Sequence, residues 1–156
     1  SDTAGQSIFG ISSLIRRHVR QGARLAIVDY LGLVSPAKGQ PREQWALKGE
    51  NMRHMKLLAR KLDIPLLVLV QANQRVERRG NRRVTLGDLH GSGEIAMHAD
   101  IVATLYREDV YDPTSETRIC EVNIVKNRAG QIGRVELRYQ PEFNRFDNLR
   151  RMEVVN

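Results

Sequence analysis

Apolar positions along this chain follow two periods. Ile8, Ile11, Ile15 and Val19 recur at three- and four-residue intervals, which predicts a helix over residues 7–21 with Ser7 as its cap and Gly22 at its end. Residues 24–30 contain the unbroken run Leu25-Ala26-Ile27-Val28, the signature of a short strand covered on both faces. Residues 35–41 hold Pro36, Gly39 and Pro41 and form a loop. Helical spacing returns over residues 42–62, with Met52, Met55, Ala59 and Leu62 as an inner stripe and Arg53, Lys56 and Arg60 elsewhere on the surface. Pro65 opens a second apolar run over residues 66–70. Two such strands joined by a helix predict a βαβ unit with parallel strands.

Residues 71–84 are polar and arginine-rich, and residues 87–99 mix glycines with a short helical stretch. Residues 101–106 form a further apolar strand, after which the pattern changes. Short runs at 119–126, 133–139 and 143–147, separated by tight turns, predict antiparallel strands. The expected fold is therefore α/β, a parallel-sheet core with a C-terminal antiparallel β extension, in one domain over residues 1–156.

Composition changes this picture little. The 156 residues are 41% apolar and 28% charged, as in a soluble globular domain, and no apolar run has the length of a membrane span. A single cysteine, Cys120, suits a reducing compartment, and the expected location is the cytoplasm. No cysteine and histidine cluster has zinc-ligand spacing. Lysine and arginine outnumber aspartate and glutamate by 25 to 18, a formal charge of +7 that favours polyanionic partners. Arg75, Arg78, Arg79, Arg82 and Arg83 crowd one stretch opposed only by Glu77, which on its own reads as a solvated basic loop.

Four stretches carry candidate chemistry. Asp29 ends the first apolar run, where a carboxylate at a strand's C-terminal edge can serve Mg²⁺ beside nucleotide phosphates; buried strands also end in capping aspartates. Gln71 follows the second run and could meet a terminal phosphate or satisfy a turn. The loop His90-Gly91-Ser92-Gly93 can bring backbone N–H groups to a phosphate, or be an ordinary connection before a helix. Lys126 and Arg128 flank a Gly130 turn, as an exposed basic hairpin or as a finger inserted beside a neighbour's nucleotide.

Taken in order, these stretches and the closing Phe143-Asn144-Arg145-Phe146-Asp147-Asn148 form a series similar to the C-terminal motor domain of DnaB-type replicative helicases, from Asp2 to about Asn148. The resemblance implies a RecA-like fold and a hexameric ring of identical subunits that translocates 5′ to 3′ on single-stranded DNA with ATP and Mg²⁺, unwinding duplex ahead of it. It implies Asp29 as the Walker B aspartate serving Mg²⁺ and Gln71 as the γ-phosphate sensor. It further implies Lys126 and Arg128 as the basic pair reaching the adjacent subunit's nucleotide, and His90 to Gly93 as the DNA grip. Arg78 and Arg79 are added as DNA contacts from the basic stretch. Primase and a helicase loader are the implied protein partners, and no membrane is. Arg53 falls on a position commonly arginine in that family, without an assigned role.

The chain departs from the family pattern in three places. His90-Gly91 stands where Arg-Glu is usual, and Gln74 replaces the arginine of Ser-Gln-Leu-Asn-Arg. No G-x-x-x-x-G-K-S/T run occurs; the family's phosphate loop and catalytic glutamate precede the segment matching Asp2, so these residues alone are expected to be inactive. Two other readings fit the residues: a non-enzymatic DNA- or ring-binding module, and a RecA-like recombinase or repair ATPase.

Overall fold

A computed structural model describes residues 5–41, 43–89, 92–112 and 114–149. The chain folds as two compact units, one of Ser1–Arg75 with Gly87–Ala99, the other of Val76–Leu86 with Asp100–Asn156.

In the first unit, helix α1 spans Ile8–Arg20. The Ser7 hydroxyl accepts a hydrogen bond from the Gly10 N–H at 3.4 Å, and Arg17 and Arg20 lie in the last turn, where cations interact favourably with the helix dipole. Gly22 follows at φ +100°, a conformation that side chains resist. Strand β1 is Ala26–Val28, helix α2 is Gln44–Leu62 and strand β2 is Leu66–Val68. β1 and β2 pair in parallel, with Ala26, Ile27 and Val28 opposite Leu66, Leu67 and Val68. The expected βαβ unit is present.

Ile15, Leu58 and Ile64 form the centre of this unit, with Ile11, Val19, Ala26, Leu62 and Leu66 packed against them. One side of each strand thus meets α1 and α2. The other side does not: Ile27 is 59% and Leu67 51% exposed, so these strands are not covered on both faces as the apolar runs suggested. On α2, Met52 and Met55 are buried as expected, and Leu58 joins them in the core while Ala59 is only half-buried. Arg42, the expected start of that helix, lies outside the described residues. Trp45, in the first turn of α2, is exposed. The loop before α2 is tied to it through Gln40, whose amide donates to Asn51 Oδ1 at 3.2 Å and accepts from the Ala37 N–H at 2.9 Å.

Helix α3, Ser92–His98, lies against α2 at Gly49. A Cβ at Gly49 would stand 2.8 Å from Glu94 Cβ, so the missing side chain is what permits this approach.

The second unit is a four-stranded antiparallel sheet, β3 (Ile101–Arg107), β4 (Ile119–Asn127), β5 (Gly133–Gln140) and β6 (Arg145–Asn148), in that order. The antiparallel part therefore begins at β3, one strand before the sequence pattern changes. β6 starts later than expected, because Pro141–Phe143 forms a 3-10 turn and Asn144 takes φ +46°. No helix among the described residues is long and apolar enough to cross a membrane.

Candidate functional site

Asp29 follows the last residue of β1 and is exposed. The ladder continues past it: the Leu69 N–H donates to Val28 O and the Leu31 N–H donates to Leu69 O, each at 2.9 Å. The Asp29–Tyr30 peptide is cis. Gln71 lies three residues beyond β2 and is also exposed. Because the two strands are parallel and in register, Asp29 and Gln71 emerge at the same C-terminal edge. That edge is the usual ligand-binding side of an open α/β sheet.

Directly after Gln71, Ala72 bridges antiparallel to Leu89, and the Asn73 N–H donates to Asp88 O at 2.8 Å. The segment leaving Gln71 is thereby joined to the segment entering α3. His90 and Gly91 lie outside the described residues. Ser92 opens α3, and Gly93 is exposed, with open space where a Cβ would be.

In the second unit, β4, residues 128–132 and β5 form the expected hairpin. Lys126 stands within β4 opposite Val102, not at the tip. Arg128 begins the turn; its N–H donates to Asp100 O at 2.9 Å, and its guanidinium lies 3.5 Å from the Asp100 carboxylate. The Arg128 side chain remains 70% exposed, so this surface pair holds it weakly. Asn127 shapes the turn by donating to Gln131 O and accepting from the Ala129 N–H.

The arginine-rich stretch is not a uniformly solvated loop. Arg83 makes a two-pronged bond to Glu121, Nε to Oε2 at 2.7 Å and Nη2 to Oε1 at 2.6 Å, and its guanidinium lies 4.3 Å from the Tyr106 ring centre. Arg82 lies 4.9 Å from the ring centre of Tyr111, which stacks with Tyr106. Arg78 and Arg79 are exposed, and Arg79 donates through Nη2 to Arg83 O at 3.2 Å. The hydrogen bond from Arg83 is the main reason the Glu121 carboxyl is held below its ordinary pKa; the charges of Arg83 and Arg134 act in the same direction. Arg107 lowers Asp109 in the same way, through bonds at 3.1 and 2.6 Å, while its guanidinium covers Tyr139. Burial raises the Cys120 thiol and keeps it protonated at neutral pH.

Glu121, Tyr106 and Tyr111 were not legible as partners of the arginines. One signal was available: Glu121 interrupts an otherwise mainly apolar strand, where a carboxylate needs a cation.

Residues 1–148 match the family model described as DnaB-like helicase C terminal domain. The replicative DNA helicase DnaB of Haemophilus influenzae is 38% identical over 95% of this chain and 32% of its own length. The Geobacillus stearothermophilus helicase of the same name is 36% identical over 96% of this chain and 34% of its own. The chain thus spans about one third of the curated relatives it matches. A solved DnaB-like replicative helicase, studied with its interactions with primase, superposes at TM-score 0.88 with 39% identity, over 96% of this chain and 36% of that one. A second solved structure, an ATPase domain, superposes at 0.87 with 39% identity, over 95% of this chain and 53% of that one.

Proposed function

Because this chain belongs to the DnaB-like helicase C-terminal domain family, we propose that it is the C-terminal part of a replicative helicase motor, in which ATP hydrolysis drives 5′ to 3′ movement along single-stranded DNA. The observation that carries this reading is the common edge of β1 and β2, from which Asp29 and Gln71 both emerge. Asp29 holds Mg²⁺ there, directly or through water, and Gln71 meets the terminal phosphate. The residues fit such an ion: Asp29 offers one exposed carboxylate at this edge, and Mg²⁺ on a nucleotide uses one or two carboxylates, phosphate oxygens and water. When bound, the ion neutralises charge on the β- and γ-phosphates.

Lys126 and Arg128 serve the nucleotide of the adjacent subunit, and the ring is a hexamer. Ser92, Gly93 and the flanking His90 and Gly91 grip a DNA phosphate, with Arg78 and Arg79 adding positive charge. Primase and a helicase loader are the expected partners, and the cytoplasm the expected compartment. The module and recombinase readings are set aside, since the family match favours neither.

The test uses the full-length protein. Asp29→Asn lowers DNA-stimulated ATP hydrolysis by about 10²–10³-fold, the order lost when a preorganised contact to developing charge is removed. Metal-free nucleotide binding is retained. Undiminished turnover by this variant rejects the assignment.

A further inference from the structure

We infer that Glu121 is a positioning residue: by fixing Arg83 on the antiparallel sheet, it shapes an exposed arch that presents Arg78 and Arg79 to single-stranded DNA. This rests on the DNA-binding reading above and adds the device that holds the basic loop in place.

The arch has two feet. Val76, at one end, is buried. At the other end Arg83 is gripped by the Glu121 carboxylate of β4 and covered by Tyr106 of β3, and the carbonyl of the next residue, Val84, accepts from the buried Thr104 hydroxyl at 3.1 Å. Between the feet, residues 77–81 are all exposed. Short bonds brace this span: the Arg79 N–H donates to Val76 O, Arg79 Nη2 to Arg83 O at 3.2 Å, and the Arg83 N–H to Asn81 Oδ1 at 3.1 Å. The span is a bow with both ends anchored; Arg78 and Arg79 are exposed residues on a constrained backbone, and Arg79 spends one N–H on the brace to Arg83 O. Constraining a segment before it binds removes part of the ordering cost of binding.

Glu121 suits this role because its side chain is only 10% exposed and its carboxylate serves two cations. Arg134 of β5 approaches the same Oε1 at 3.3 Å while also meeting Glu136 at 3.0 Å. Removing Arg83 leaves the carboxylate a partner, so the foot can be released from either side.

The sign of the effect on DNA affinity separates positioning from plain electrostatics. Glu121→Gln removes a negative charge from a basic protein, which by charge alone strengthens binding to a polyanion. A loosened arch does the reverse. In the full-length protein, Glu121→Gln is expected to weaken binding of an oligo-dT strand about tenfold. The slope of log affinity against log salt stays unchanged, because the same phosphate contacts form. Trypsin cleavage after Arg78 and Arg79, located by mass spectrometry, becomes faster than in the wild type. If Glu121→Gln does not fold, Arg83→Gln supplies the same proteolysis measurement. Equal or stronger DNA binding by Glu121→Gln, or unchanged cleavage within the arch in a folded variant, overturns the proposal. If the wild type binds no oligo-dT, the DNA reading and the purpose given to the arch both fail, and the cleavage rates still report whether Glu121 holds it.

Discussion

Arg128 carries a guanidinium that is largely in solvent yet rests beside Asp100. An exposed pair of this kind contributes at most about 1 kcal/mol, little enough for a nucleotide phosphate to compete for the arginine. In the full-length helicase, Arg128→Ala is expected to lower ATP hydrolysis by about 10³–10⁵-fold with nucleotide affinity nearly intact, as for a finger acting on the transferring phosphoryl group. Mixing Arg128→Ala with Asp29→Ala subunits should recover some hydrolysis if the arginine acts across an interface; unimpaired turnover by Arg128→Ala rings leaves the hairpin an ordinary turn. Glu121 gives a second expectation. Its pKa is lowered in the folded protein, so its contribution is complete above the ordinary glutamate value and is lost as pH falls through the lower folded value. Urea unfolding across this acid range should show the stability gap between wild type and Glu121→Gln closing as pH drops; a gap constant down to the lowest pH would mean the charge contributes nothing. The placement of Asp29 and Gln71 at one strand edge was legible because each closes an apolar run. The Arg83–Glu121 pair was not, since 38 residues separate its members and no local period links them.

At the scale of elements, Gly49 is where α2 meets α3 without room for a side chain. Alanine in a helix interior normally gains about 1 kcal/mol over glycine, but an added methyl in a filled contact costs about 1–3 kcal/mol. The 2.8 Å approach to Glu94 Cβ decides between them, because that atom belongs to the root of its side chain and moves only with α3. Gly49→Ala is therefore expected to destabilise the protein by about 1–2 kcal/mol in denaturant unfolding. A double-mutant cycle with Glu94→Gly should show coupling, and additive effects would mean the contact is not the cause. α1 and its Ser7 cap, α2 and the antiparallel strands were readable from period and turn residues. Whether β1 and β2 were covered on one face or two was not, because a run such as Leu25–Val28 looks the same in either case. β6 was misplaced by two residues, since nothing in Pro141-Glu142-Phe143 distinguishes a 3-10 turn from the start of a strand.

For the molecule as a whole, the excess of cations predicts salt-sensitive DNA binding. With two to four phosphate contacts, log affinity for single strands should fall with log salt at a slope of roughly −1.5 to −3. Aromatics are only 5% of residues, so stacking adds little; affinity independent of salt would refute the electrostatic account. The 156 residues alone should show no ATP turnover, because they contain no phosphate-loop lysine and backbone cradle; DNA-stimulated turnover abolished by Asp29→Ala would contradict this. The division into two units also sorts the optical reporters. Every α-helix among the described residues lies in the first unit, so helical circular dichroism follows that unit. Three of the four tyrosines, Tyr106, Tyr111 and Tyr139, lie in the second, each with an arginine over its ring. The sole tryptophan, Trp45, already meets water, and its emission changes little on unfolding. Ultraviolet fluorescence and circular dichroism thus watch different halves of one polypeptide, and coincident midpoints in the two signals are the signature of a single cooperative melt.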